Sequence, residues 1–466
     1  MSRDWRDDRI AELEAEVAEL RQTNEKLLAR IAALEARLNQ SSANSSQPPS
    51  KDSPKQRRER KRKRKSGRKR GGQPGHKPHQ RELVPPEKVT ATVDHRPDQC
   101  DGCGAVLTEV DDTEPLRHQI IELPEIIPDV TEHRLHACDC PSCGHRTRAK
   151  LPPDVPASMW GPRLQALVGL LTGSYRVSRR GVVSLLSDVL SIRVSLGALS
   201  KAEERVSEAI APAVDEAVDF AQAQPIKHCD ATSWSNGGIA RTLWTLSTAM
   251  VTVFAITVDG SRSAARVLLD RVRGILVSDR ATVFLFWAMS RRQICWAHLL
   301  RKFLGCAQRG GPGAQLAREL QSTTELMFHY WHRVRDGTMS RAEFRRWTFT
   351  VRERFEWLLE RGAARSAPGF SGVCKNILEH KDALWNFVEH RGLDPTNNQA
   401  ERDLRPGVQW RKTSYGSQSE RGERYAERIM TVTHTLRKQQ RPVFEYLYHA
   451  CLNSQNGRSP PSLLPT

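Results

Sequence analysis

Residues 225–279 read PIKHCDATSWSNGGIARTLWTLSTAMVTVFAITVDGSRSAARVLLDRVRGILVSD, and the order of periodicities along this stretch decides the architecture. Ile226-Lys227-His228-Cys229-Asp230 reads as a strand that closes on a carboxylate, and residues 241–248 and 250–258 read as two further β-rich runs. Asn236-Gly237-Gly238, between the first two, supplies a hairpin turn. Ala264, Ala265, Val267, Leu268 and Leu269 then mark a helix. It leads to Ile275-Leu276-Val277-Ser278-Asp279, a second apolar strand ending in aspartate.

Three antiparallel strands, a helix and a parallel strand, with aspartates on the first and fourth strands, is the order of a ribonuclease-H-like sheet. Adjacent central strands in such a sheet bring Asp230 and Asp279 together. An aspartate at a strand end is, alone, an ordinary turn residue; two of them beside a helix-borne glutamate form a site. Residues 394–406, DPTNNQAERDLRP, supply that glutamate and run on through Arg411-Lys412 to Tyr415-Gly416-Ser417. Two asparagines after Pro395 stop the preceding structure and offer an N-cap, so a helix begins near Asn398 with Glu401 in its first turn. The plain alternative is a capping box, with Asn398 as cap and Glu401 reaching back to it. Arg402, Arg405, Arg411 and Lys412 surround this one carboxylate with more cation than it needs, which suits a place where phosphates and divalent metal arrive together.

The rest of the chain divides by composition. Its 466 residues allow two or three domains. The net charge of +18 is concentrated in residues 55–70, KQRRERKRKRKSGRKR, where twelve Lys/Arg face one glutamate. This tract, with Arg60, Lys61, Arg62, Lys63, Arg64 and Lys65 at its centre, calls for a polyanion, most economically DNA. It lies in a Ser/Pro-rich and basic stretch, residues 41–80, that has too little apolar surface to fold and is expected to be disordered. Before it, residues 1–40 carry apolar heptads at Ile10, Leu13, Val17, Leu20, Leu27, Ile31, Leu34 and Leu38 with Asn24 at a seam position. That is the pattern of a parallel two-stranded coiled coil, hence a homodimer.

Residues 81–155 hold Cys100-Asp-Gly-Cys103 and Cys140-Pro-Ser-Cys143, each followed by glycine. Two such knuckles supply four thiolates to a structural, tetrahedral zinc on a short β-rich ribbon, with Cys138 a spare or alternative ligand. Residues 156–223 read as short helices, either a DNA-reading helix-turn-helix or a packed spacer; periodicity does not separate the two. Cys295 and His298 sit one helical turn apart. Without a third or fourth ligand nearby in sequence they suit a structural or phosphate-positioning role better than a metal. Paired CxxC units rather than a disulfide scaffold, and no apolar run of membrane-spanning length, imply an intracellular, cytoplasmic protein.

With these residues assembled, the chain resembles the IS66 family of bacterial insertion-sequence transposases, of DDE type. The resemblance rests on Asp230-Ala-Thr-Ser-Trp234, on Cys295-Trp-Ala-His298-Leu-Leu-Arg301-Lys-Phe303 and on Asn397-Asn398-Gln-Ala-Glu401-Arg402 with Arg411-Lys412 downstream. It covers nearly the whole length, including GGQPGHK at residues 71–77. It implies a multidomain α+β protein with a ribonuclease-H-like core at residues 224–450, a helical insertion at about 314–390 and a disordered tail at 451–466. It further implies an acidic triad of Asp230, Asp279 and Glu401 that binds Mg²⁺ or Mn²⁺ and cuts and joins DNA ends. Terminal inverted repeats, target DNA and accessory proteins of the same element are the implied partners, with nucleoid association. Ala231, where the family commonly has glutamate, and Arg280, where glycine often stands, are departures that leave a non-catalytic, DNA-binding repressor as the alternative.

Overall fold

The computed structural model describes residues 5–38, 40–45, 52–63, 82–108, 115–152, 155, 158–269 and 273–465. They fall into two compact units, Arg58–Asp129 and the larger Met1–Arg57 with Val130–Thr466. The chain is mixed α+β, with fourteen α-helices and two sheets among the described residues. Among the described residues no helix is long and apolar enough to cross a membrane. Arg64, Lys65 and the GGQPGHK stretch lie outside the described residues.

Helix α1, Trp5–Leu38, is 34 residues without glycine or proline and rich in Ala, Glu, Leu and Arg, the strong helix formers. Its heptad seam stays at water along the single chain, from Ile10 to Leu38. Helix α2, Pro54–Lys63, corrects the expectation of disorder for part of residues 41–80. Its start explains why. Ser53 N–H donates to Gln56 Oε1 at 2.8 Å and Gln56 N–H returns a bond to Ser53 Oγ at 3.2 Å, a reciprocal cap with Pro54 in the first turn.

The two knuckles are built alike. In the smaller unit Cys100 N–H donates to Ala105 O and Gly104 N–H to Cys100 O. In the larger unit Cys140 N–H donates to His145 O and Gly144 N–H to Cys140 O. Gly104 and Gly144 both sit at positive φ, near +70°, where glycine alone is unstrained. Around the second knuckle, β1 (Ala137–Asp139) pairs antiparallel with β2 (Arg146–Arg148). Among the described residues between the knuckles the expected β structure is confined to β1: residues 115–136 are in neither helix nor strand, and Ile120, Ile121, Ile127 and Val130 are exposed. β-Branched residues favour extended backbone, but a strand also needs a ladder partner.

The helical segment is α3 (Pro162–Gly169), a π turn at Leu170–Ser174, α4 (Arg179–Leu190) and the long α5 (Leu196–Ala223). Ser178 and Ser195 cap α4 and α5 by accepting from Gly181 and Ala198 N–H. Val206, Ile210, Val214 and Ala217 of α5 share one core with Trp244, Leu246 and Leu276 of the central sheet. This segment therefore packs against the sheet.

The central sheet follows the quoted stretch closely. β3 (Ile226–Asn236), β4 (Ile239–Ser247) and β5 (Thr252–Thr257) form an antiparallel run. Gly237 and Gly238, both at positive φ, are the two-residue turn closed by the Asn236–Ile239 pair. After α6 (Arg262–Leu269), β6 (Ile275–Ser278) lies parallel to β3 and β7 (Arg292–Ile294) parallel to β6, giving the order β5-β4-β3-β6-β7. The alternation of strands sends Cys229, Trp244, Leu246 and Leu276 to the face covered by α5. The opposite face carries Trp234, Leu243, Phe254 and Ile256.

Helix α7 (Trp296–Arg309) follows β7, and the insertion then contains α8 (Ala314–Arg335), α9 (Arg341–Ala364), α10 (Ser371–Glu379) and α11 (Asn386–Glu389). These build their own core around Trp296, Phe303, Trp331, Phe344, Phe355, Trp385 and Phe387 and share it with Ile275, Val277 and Ile294 of the sheet. The chain returns as α12 (Asn398–Ser414), α13 (Glu420–Lys438) and α14 (Val443–Gln455). The tail expected to be disordered is folded up to residue 465. Leu463 is fully buried, and Arg441 donates to Ser462 O and Leu464 O. One core leucine anchors a segment whose Pro and Ser content reads as unstructured.

Gly407 sets the approach of α12 to β4, because a Cβ there would stand 2.3 Å from Leu243 Cδ2 in the packed core. Gly407→Ala is expected to cost about 1–3 kcal/mol through overpacking, read as a lower urea midpoint at unchanged slope.

Candidate active site

The register of two strands places the first two carboxylates. His228 pairs with Val277 in the parallel β3–β6 ladder, so Asp230 and Asp279, each two residues further on, lie on the same face. Asp279 directly follows β6, whereas Asp230 sits inside β3, which runs on to Asn236 through its pairing with β4 instead of closing on the carboxylate as the sequence suggests. That face is the one covered by α12 and α7. Asp230 is half-buried, and its carboxyl is pushed up to about 7. Lost hydration is the main cause, Asp279 and Glu401 add like-charge repulsion, and Ala231 N–H and Arg301 oppose the rise. Asp279 Oδ1 accepts Ala281 N–H at 3.0 Å, an ordinary local turn bond that holds its side chain.

Glu401 arrives from α12, in the first turn as the sequence expects. The cap differs from expectation. Asn397 holds the N-cap position, Asn398 is the exposed first helical residue, and no side chain closes a capping box. Asn397 is wholly buried and reaches sideways. Its Nδ2 donates to Cys229 O at 2.8 Å, its Oδ1 contacts His228 Nδ1 at 3.2 Å, and its N–H donates to Cys295 Sγ at 3.2 Å. Its carbonyl accepts Glu401 N–H at 3.1 Å. One asparagine thus ties the residue before Asp230, the start of α7 and the backbone of Glu401. Cys295 N–H donates to Ser278 O, next to Asp279, and Trp296 N–H to Pro395 O.

Helix α7 brings two further groups. His298 Nδ1 and Arg301 Nη2 each lie 3.6 Å from Glu401 Oε1. Both His298 Nδ1 and Glu401 Oε1 are buried without a hydrogen-bond partner. Burial, with Arg301 beside it, lowers the His298 pKa, so the imidazole is neutral. Among the described residues, Cys295, His298 and Glu401 bring ligand atoms within 4.8 Å of one another. The third partner of the Cys295–His298 pair is therefore 103 positions downstream, beyond any local spacing signal.

The basic strip is divided in use. Arg402, Arg405 and Lys412 are exposed. Arg411, read as a phosphate ligand, instead donates Nη1 to Thr232 Oγ1 and to the carbonyl and hydroxyl of Ser233, fastening α12 to β3. The sequence carried no sign of this, since the acceptors lie almost 180 residues away. Arg280 turns to Val373 O in the insertion, and Ala231 only offers its N–H to Asp230, so neither departure residue fills the site. Arg292 was not anticipated. It is fully buried, its Nε donates to Ser278 Oγ and its Nη2 to Asp279 O at 2.7 Å, and it fixes the backbone that carries Asp279.

In each knuckle the first cysteine is held below the usual thiol range, Cys100 by the N–H groups of Cys103 and Gly102 and Cys140 by those of Ser142 and Cys143. Cys103 and Cys143 complete the two pairs, which belong to different units. All ten cysteines are free thiols. Arg60 to Lys63 lie in the last part of α2.

Comparison with known families gives two matches. A family of unknown function, DUF6444, matches residues 3–82. The Transposase IS66 family matches residues 157–425, more than half of the chain and the whole span from α3 to the start of α13. The comparison with curated proteins gives no match. The three half-buried acidic carriers, the CxxH helix and the Asn-Asn-x-x-Glu turn all lie inside the matched span, and the chain belongs to the IS66 family of transposases.

Proposed function

We propose that this transposase is of DDE type and cuts and joins insertion-sequence ends with Asp230, Asp279 and Glu401 on a ribonuclease-H-like core. One observation carries the reading: the carboxyl of Asp230 is pushed up by burial and by the negative charges of Asp279 and Glu401 together. Carboxylates that act on one another in this way suit a divalent cation, and three hard oxygen donors fit Mg²⁺ or Mn²⁺ once brought onto it. The sheet order β5-β4-β3-β6-β7, with Asp230 inside β3 and Asp279 just past β6 on the same face, supports the same assignment.

Such cations, when bound, supply an activated water or 3′-hydroxyl and neutralise charge on the scissile phosphate. The chain's own residues do the rest. Arg292 and Asn397 hold the backbones bearing Asp279 and Glu401. Arg301 stands beside Glu401, where a phosphate oxygen would compete for it. Arg402, Arg405 and Lys412, exposed along α12, contact flanking phosphates, and the basic tract adds sequence-independent attraction. Each knuckle, Cys100 with Cys103 and Cys140 with Cys143, offers a thiolate pair suited to structural zinc, for which the lowered first thiol of each pair is the support.

Purified protein incubated with Mg²⁺ and DNA carrying the element ends is expected to nick it, and Asp230→Ala to fail. Equal nicking by both proteins, or by neither, removes the catalytic reading. The exposed seam of α1 supports a parallel homodimer that brings two ends together. Replacing Leu20 and Leu27 with aspartate is expected to convert dimer to monomer in sedimentation equilibrium; an unchanged mass would rule out the coil as the dimer contact.

A further inference from the structure

We propose that Cys295, His298 and Glu401 form a binding site for one soft divalent cation of the zinc class, and that filling it draws Glu401 away from Asp230 and Asp279. The first half stands on the geometry alone; the second rests on the catalytic reading above.

The three residues offer one sulfur, one nitrogen and one oxygen within 4.8 Å of one another. Ligands around a tetrahedral zinc are separated by roughly 3.5 Å. His298 Nδ1 and Glu401 Oε1 already meet that spacing at 3.6 Å. Both atoms are out of contact with water and neither has a hydrogen-bond partner, a cost that a buried polar atom bears only for a reason. Cys295 Sγ is also buried and points the same way, held by Asn397 N–H at 3.2 Å. It sits at the N-terminus of the fourteen-residue α7; burial pushes the thiol up to about 11, and the N–H groups of Asn397, His298 and Ala297 oppose that rise.

Binding breaks the S–H bond, releases that proton to solvent and forms one sulfur–metal bond, while the neutral imidazole donates without losing a proton. Arg301, the cation nearest Glu401, is displaced. Thiol and imidazole select zinc over magnesium. Because Glu401 is common to both ligand sets, zinc here and magnesium at the aspartates compete for one side chain.

The test uses the full-length chain and zinc itself, titrated against a chromophoric chelator. Wild type and Asp230→Asn are expected to bind one more zinc than Cys295→Ser or His298→Gln, with the knuckles filled in all four. Cobalt in place of zinc is expected to give a thiolate charge-transfer band in wild type that is weaker by one site in Cys295→Ser. Equal stoichiometry in all four proteins overturns the site, and melting curves identify any variant that has merely unfolded, His298→Gln then standing in for Cys295→Ser. Zinc at micromolar levels is expected to suppress magnesium-dependent nicking by wild type at least tenfold more than by Cys295→Ser, each against its own zinc-free rate. Equal suppression overturns the competition for Glu401. Failure of wild type to nick at all, with the extra zinc still bound, overturns the catalytic reading and leaves the site in place.

Discussion

Asp230→Asn is expected to abolish magnesium-dependent nicking and, in the absence of metal, to make the protein more stable at neutral pH. The two effects share one cause. Folding takes the Asp230 carboxyl from an ordinary value near 4 up to about 7, chiefly by removing its water. Between these values the folded chain holds a proton that the unfolded chain has released. Stability from this group is therefore complete below about pH 4 and is lost as pH rises through 7. At about 1.4 kcal/mol per pKa unit, the deficit at pH 8 is a few kcal/mol. Asparagine has no proton to lose, so the variant should be flat where wild type declines. The buried imidazoles of His228 and His298 slope the other way, but they are common to both proteins and cancel in the difference. Magnesium reverses the order: wild type should gain stability with rising pH as Asp230 ionises to hold the cation, and the variant should not. The loss in nicking should reach about a thousandfold, the size of a several kcal/mol contribution to the transition state. Urea unfolding at pH 5 and pH 8, with and without magnesium, measures both arms. Parallel curves for the two proteins would mean that Asp230 is neither buried as a carboxyl nor a metal ligand.

The part of the site that was legible in the sequence is the part set by local pattern. The order of strands brought Asp230 and Asp279 onto neighbouring strands, and Gly237-Gly238 named the turn that holds β3 against β4. Pro395 and the paired asparagines placed the start of α12, and with it Glu401. The long spacing between Asp279 and Glu401 left room for the inserted helices that the resemblance implies, and α8 to α11 lie within residues 314–389. What escaped is settled by long-range contact. β7 is three residues of Arg-Gln-Ile, too short for a period. Arg411 looks free until Thr232 and Ser233 come near it. Asn397 and Asn398 are equal candidates for a cap on local grounds, and only the approach of Cys229 and His228 makes Asn397 the buried one. The seat of Leu463 depends on α14 being in place first. Cys295 and His298 lacked a third ligand because it comes from the far side of the insertion.

Lys438→Met is expected to destabilise the protein by about 3 kcal/mol or more. Lys438 Nζ lies 2.7 Å from Asp403 Oδ2 and also donates to Thr248 O, Ser247 Oγ and Thr252 Oγ1. Asp403 accepts in turn from Ser247 and Thr252. Both side chains are only 18% exposed. This cluster pins α12 to β4, β5 and α13 two residues past Glu401, and Gln399 extends it through Ser247 Oγ and Thr248 O. Burial pulls the Lys438 pKa down, and Asp403 beside it opposes that shift. Removing the lysine leaves a carboxylate in a half-dry site with two hydroxyl donors and no countercharge. Replacing both, as Lys438→Met with Asp403→Leu, should recover most of the loss, because two apolar groups of similar size need no partner. Unfolding free energies for the two single variants and the double close the cycle. Additive losses would show that Asp403 and Lys438 do not act as a pair. If the double variant folds well yet nicks DNA slowly, the cluster's remaining role is to hold Glu401 at its depth. Restoring Asp403 and Lys438 together should then return the rate, whereas restoring either one alone should not.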